Sequence, residues 1–168
     1  MVHLTTVESP VGPLTIAAHA ERVCLLHFGP ATPAVHKQLA RWYPGEAIEP
    51  RADPAGAVTA LKEYFGGSIG VLDDVPVELN GTPFQRQVWM ALRRIRVGAT
   101  ESYAGLARAV GLPAAVRAVG AANGANPVAV IVPCHRVIGS NGSLTGYGGG
   151  LDRKRWLLQH EGCAVGLF

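Results

Sequence analysis

A chain of 168 residues with 48% hydrophobic and 16% charged side chains can bury a core as one domain or two small ones, and carries too little charge to stay disordered. A formal net charge of +3 tilts it toward a polyanionic partner. Cys24, Cys134 and Cys163 include no C-x-x-C pair, which argues against a disulfide scaffold and for a reducing compartment.

The opening residues alternate and turn instead of running apolar, and no apolar stretch reaches about 18 residues. Neither a signal peptide nor a membrane-spanning helix is expected, and the expected location is cytoplasmic. "HLTTVES" and "LTIAAHA" read as strands split by the turn Pro10-Val11-Gly12-Pro13, and "RVCLLHF" as a third. A helix is expected from Pro33 to Trp42, ended by Pro44. Asp53-Pro54 should open another, with Val58, Leu61 and Phe65 on its apolar face and Gly66-Gly67 as its stop. "VPVEL" is a candidate last strand. His19, Cys24 and His27 sit on predicted strands without a matching second cluster, so no metal site is assigned. Residues 1–79 thus read as a small antiparallel sheet with helices.

Residues 80–168 read as helical. Thr82-Pro83-Phe84-Gln85 is a capping box with proline at the first helical position. Phe84, Val88, Leu92 and Ile95 follow on one face, with Arg86, Arg93, Arg94 and Arg96 around it. Ser102 should cap a short helix running through Val110. Gly111-Leu112-Pro113 turns the chain, and Ala114 opens a second helix ending near Asn123-Gly124. The pair reads as a helix-turn-helix. Its second helix is almost all Ala, Val and Gly, with Arg117 as the one long side chain. Either it packs closely on a neighbouring helix, or it approaches a DNA groove with little to read base edges. Asn80-Gly81 and Asn141-Gly142 are read as turns, not glycosylation sites. "GYGGG" fits neither dinucleotide nor P-loop spacing, so no nucleotide cofactor is implied.

An apolar run ends in Pro133, followed by Cys134, His135 and Arg136. A cysteine attacks as its thiolate and needs a base or cation nearby. Side chains of neighbours in an extended segment point apart, so His135 serves Cys134 only if the chain turns there or a water bridges them. Glu161, at the end of a predicted last helix, is the candidate to orient the imidazole. A buried structural cysteine is the plainer alternative.

"IVPCHRV" resembles the active-site motif of the O6-alkylguanine-DNA alkyltransferases, which move alkyl groups from damaged guanine to their own cysteine. "SYAGLARAVG", "RAVGAANGANP", "IVPCHRVIGSNGSLTGYGGG" and "LDRKRWLLQHEG" extend the likeness over Thr82 to Gly162, and "ESPVGPLTIA" carries a weaker one before it. The resemblance implies an α+β domain beside a helical one of winged-helix type. It implies Cys134 as alkyl acceptor, His135 acting through a water, Glu161 holding His135, and Asn126 as hinge. It implies Arg117 as a finger entering the duplex, with Ala118 and Ser102 also at the DNA. Tyr103 would press on the target phosphate and donate to the base, and Val137, Tyr147 and Gly148 would line the guanine pocket.

The implied partner is double-stranded DNA carrying O6-alkylguanine, bound by a monomer with room for several molecules along the strand. No cofactor is implied, because the damaged base is the donor. A base inside the stack must be flipped out. The thioether product has no resolving thiol, so each molecule should react once. Some family members hold a metal in the first domain, and no clear ligand set stands here. Related non-enzymatic proteins have tryptophan for the cysteine, and this chain keeps Cys134. A helix-turn-helix protein that only binds damaged DNA, and a Cys-His hydrolase, are the alternatives.

Overall fold

The computed structural model describes residues 1–163, which form two compact units, Met1–Asn80 and the chain from Gly81 onward. The first holds a four-stranded sheet in the order β3-β2-β1-β4. Strands β1 (Val2–Val7), β2 (Leu14–His19) and β3 (Arg22–Phe28) are antiparallel. His19 pairs with Arg22, so Ala20 and Glu21 alone make the β2–β3 turn, both with positive φ (50° and 58°). That is the hand a two-residue hairpin demands, here met without glycine.

The short β4 (Ile48–Pro50) runs parallel to β1, making the sheet mixed. Three residues ending in proline give too little strand signal to stand out in the sequence, and the proline fits an edge position. "VPVEL" forms no strand. It makes one isolated bridge, Val77 to Val23, because Pro76 has no N–H to donate to a ladder.

Helix α1 (Pro33–Trp42) is capped by the Thr32 side chain and lays Val35 and Leu39 against Val2, Ala17, Cys24 and Leu25. Asp53-Pro54 opens a single 3-10 turn, and α2 (Ala57–Phe65) begins after it. The Asp53 carboxylate still caps the helix across that turn, accepting from the Val58 amide at 2.7 Å. At the end of β2, His19 stacks on Tyr43 with ring centroids 4.0 Å apart. Its ring nitrogens contact Glu78 (Nδ1, 2.8 Å) and Glu46 (Nε2, 3.1 Å).

The second unit starts with the expected capping box. The Thr82 side chain accepts from the Gln85 amide, and the Gln85 side chain accepts from the Thr82 amide. Helix α3 (Pro83–Leu92) stops three residues before Ile95. Its buried Trp89 donates Nε1–H to the Ala122 carbonyl at 2.7 Å. The turn at Gly111 (φ 76°) joins α4 (Tyr103–Ala109) to α5 (Val116–Gly124), which begins two residues later than expected. Helices α3 and α4 both pack on α5. The last helix, α6, spans Leu151–His160. No helix among the described residues is long and apolar enough to cross a membrane.

Candidate active site and DNA-facing surface

The segment that leads to Cys134 is bent, held by the Asn126 side chain together with backbone hydrogen bonds such as Val132 N–H to the Val128 carbonyl at 3.0 Å. Asn126 Nδ2 donates to the Val132 carbonyl at 2.7 Å while its Oδ1 accepts from the Val128 amide at 3.0 Å. Both functions of one amide are used to fold residues 126–132 back on themselves. Inside that bend Val130 is buried with φ at +68°. A β-branched residue in the left-handed region is strained by about 1–3 kcal/mol and persists only where its surroundings enforce it.

The chain then turns as a 3-10 helix over Cys134–Arg136, so Cys134 and His135 are not splayed as in a strand. A two-residue parallel ladder follows. In β5 (Glu101–Ser102) and β6 (Val137–Ile138), Glu101 faces Val137 and Ser102 faces Ile138. This ladder brings the start of α4, and with it Tyr103, beside the cysteine segment.

Glu161 gathers the site from 25 or more residues away. Its Oε2 meets His135 Nε2 at 2.8 Å and its Oε1 accepts from Arg136 Nε at 2.7 Å. Arg136 Nη1 also donates to the Ile95 carbonyl at 2.7 Å. His135, Arg136 and Glu161 are all buried. Burial opposes ionisation of Glu161, but the hydrogen bonds and charges of His135 and Arg136 outweigh it and hold the carboxyl down to about 2. Burial pushes the His135 pKa down, against the pull of Glu161. We therefore assign an ionised Glu161, a charged Arg136 and a neutral His135 whose Nε2–H points at the carboxylate. His135 Nδ1 has no hydrogen-bond partner among the described residues, and in this tautomer it is a free base.

Cys134 is 7% exposed. Burial raises its thiol pKa, while hydrogen bonding from Asn126 and the charge of Lys154 favour the thiolate, with a smaller contribution from Tyr147. The resting group is a thiol that needs a base to react, and His135 Nδ1, one residue on, is a ring nitrogen without a hydrogen-bond partner among the described residues. Lys154, from α6, is fully buried and donates Nζ–H to the Val137 carbonyl at 2.6 Å and the Thr145 carbonyl at 2.8 Å. Burial lowers its pKa to about 8.

Of the candidate site residues, Cys134, His135, Glu161 and Asn126 meet in one cluster, with Val137 buried next to it and Tyr147 half-buried at its side. Gly148 lies exposed on the loop between β6 and α6. Sequence reasoning missed Arg136, and it missed Lys154 as a structural anchor. For Arg136 a signal was present: a cationic side chain inside an apolar motif, with a buried glutamate to pair with it.

Arg117 and Ala118 sit apart, exposed on α5 with Val116 and Ala121, while Val119, Ala122 and Asn123 of the same helix are buried. The close-packing reading therefore holds for one face of this small-residue helix, and the other face is exposed. Ser102 caps α4 by accepting from the Gly105 amide at 2.9 Å. A cavity of about 320 Å³ lies against Gly111–Ala115, in the turn before Arg117. Residues 81–168 carry ten Lys/Arg against three Asp/Glu, whereas residues 1–80 carry five against nine. The basic excess thus belongs to the unit with the exposed helix.

None of the described residues form a group of three or more His, Cys, Asp or Glu side chains able to hold a metal ion. His19 is committed to two carboxylates, and the buried Cys24 thiol faces the Ala17 carbonyl at 3.5 Å.

Two family models match the chain. Residues 2–79 match the ribonuclease-like domain of 6-O-methylguanine DNA methyltransferase, and residues 83–163 match its DNA-binding domain. A methylated-DNA–protein-cysteine methyltransferase of Mycobacterium bovis is 48% identical over 164 residues, 96% of this chain and 93% of its own. A protein of the same name from Shigella flexneri is 43% identical over 93% of both chains. The crystal structure of Mycobacterium tuberculosis OGT in complex with DNA superposes with a TM-score of 0.81 at 44% identity, over 98% of both chains.

Proposed function

Since this chain belongs to the 6-O-methylguanine DNA methyltransferase family, we propose that Cys134 is the residue that accepts the alkyl group and that the cluster around Glu161 activates it. The protein repairs DNA by direct reversal, transferring the alkyl group from the damaged base to a cysteine of its own. The observation that carries the assignment to Cys134 is the buried Arg136–Glu161–His135 chain. It leaves one imidazole nitrogen free beside a buried thiol.

His135 Nδ1 takes the Cys134 proton through one intervening water, and the imidazolium that forms lies against an ionised Glu161. The thiolate attacks the O6-alkyl carbon. A C–S bond forms, the C–O6 bond breaks, and its electron pair passes to guanine. Tyr103 gives the departing guanine a proton, and solvent restores both groups. Asn126 holds the thiol's segment in its bend. Val137, Tyr147 and Gly148 bound the space for the extruded base.

The exposed strip of α5 approaches the duplex, where small side chains admit close contact and Arg117 occupies the gap left by the flipped nucleotide. Ala118 and the Ser102 hydroxyl contact the backbone. The division of charge supports this surface as the DNA side. We place the protein in the cytoplasm, where its three free cysteines stay reduced.

Intact-mass spectrometry after mixing with a duplex containing one O6-methylguanine, followed by peptide mapping, tests the assignment. A single methyl is expected on the Cys134 peptide, and none with undamaged duplex or in Cys134→Ala. Tight lesion binding without a mass change would favour a binding-only protein instead.

A further inference from the structure

The loop between β6 and α6 carries a hydrogen-bonded chain that the reaction above leaves unused. The buried Lys154 Nζ ties the Thr145 carbonyl to the Val137 carbonyl, three residues after Cys134. Thr145 is thereby fixed in place although its side chain is exposed. Its hydroxyl donates to Tyr103 Oη across 3.4 Å. That distance is long, as hydrogen bonds in substrate-free sites often are. Gly120 of α5 lies against the same ring, where a Cβ would sit 3.7 Å from Cδ1. The tyrosine thus touches both the loop, at its hydroxyl, and α5, at its ring edge.

We propose that Thr145 is a positioning residue for Tyr103: its hydroxyl orients the phenol proton toward the base and stabilises the charge that the tyrosine takes on. A phenol oxygen that accepts from Thr145 keeps its own proton free to donate elsewhere. As that proton moves to guanine, the Tyr103 oxygen becomes anionic. The bond from Thr145 then becomes charge-assisted and strengthens. An interaction that is stronger in the transition state than in the resting site accelerates the step. The proton count closes. The thiol proton ends on His135, the guanine proton comes from Tyr103, and one solvent proton exchange neutralises the pair. Lys154 acts one link further back, by setting where Thr145 stands.

This rests on the reading of Cys134 as acceptor and Tyr103 as donor, and the test separates the layers. Methyl transfer to the Cys134 peptide is followed in a single turnover with O6-methylguanine duplex, using the full chain, and duplex affinity is measured by fluorescence anisotropy. Thr145→Val keeps the shape without the hydroxyl and should slow transfer about threefold to tenfold with affinity unchanged. Thr145→Ser should restore the rate, and Thr145→Ala gives a second hydroxyl-free variant should valine disturb the loop. Placed on Tyr103→Phe, Thr145→Val should have no further effect. A hydroxyl-free variant that reacts at the parental rate overturns the proposal, as does an undiminished effect of Thr145→Val in the Tyr103→Phe background. Parental rate in Tyr103→Phe itself removes the donor and the proposal together. Absence of methyl from Cys134 in the parent chain refutes the functional reading first.

Discussion

Each unit buries a cysteine and ties a histidine to glutamate, His19 to two and His135 to one, yet only one arrangement leaves a ring nitrogen unspent. In the first unit His19 spends both ring nitrogens, one on Glu78 and one on Glu46. Burial works against its charge, but the two carboxylates prevail and raise its pKa. It is a cation-forming clasp without a lone pair to offer. Burial pushes the nearby Cys24 thiol up to about 12, so it stays a thiol. In the second unit Arg136 takes half of Glu161, His135 takes the other half, and Nδ1 is left over. A histidine beside a cysteine is thus not sufficient for nucleophilic chemistry. One nitrogen must be fixed and the other unspent, and the carboxylate must already be neutralised by a second cation.

The sharpest way to break this comparison is to mutate the two histidines in parallel. His135→Gln keeps a donor toward Glu161 but removes the base, and should slow methyl transfer by about 10²–10⁴-fold in single-turnover assays. His19→Gln should leave that rate unchanged. Equal losses in both would refute the distinction. Next in size, Glu161→Gln leaves Arg136 buried without its counter-charge. It should cost about 3 kcal/mol in urea unfolding as well as lowering the rate. Arg117→Ala should weaken binding to lesion duplex roughly tenfold, since part of the few kcal/mol of unstacking is no longer offset. It should leave the urea midpoint in place.

The smallest effect is the most discriminating. His135 has its pKa lowered from 6.5, so its contribution to stability is full above about that pH and is lost as pH falls through the folded value. His19 has its pKa raised from 6.5, so its contribution is full below about that pH and is lost as pH rises. Amide hydrogen exchange read unit by unit should show protection in residues 81–163 weakening toward acid. Protection around His19 should weaken toward base, and His19→Gln should flatten that second trend. Parallel slopes in the two units would contradict both assignments.

What the sequence made legible were features encoded within a few residues. The Thr82–Gln85 box, the Ser102 cap, the Gly111 turn and the adjacent Cys134–His135 pair all depend on near neighbours. Glu161 was reachable because it ends a helix and belongs to the motif LDRKRWLLQHEG. The features that escaped depend on distant partners. Arg136 is defined by Ile95 and Glu161, 41 and 25 residues away. Lys154 is defined by two carbonyls that no pattern of side chains reveals. The strand β4 exists only because β1 offers it an edge. Ile95 continues the apolar spacing of α3, but the helix has ended by then, so periodicity overran the element by a turn.

The depth of Cys134 has one more consequence. A thiol with 7% of its surface exposed would hinder an enzyme that must release its product. With Cys134 as the proposed acceptor, nothing has to leave its pocket except a guanine that remains part of the duplex, and the alkyl group stays where it landed. The dose–response of such a protein is a titration curve: alkylated protein rises linearly with lesion, breaks sharply at one lesion per chain and stays flat beyond it. The capacity of a cell to repair in this way is a number of molecules, replenished only by synthesis.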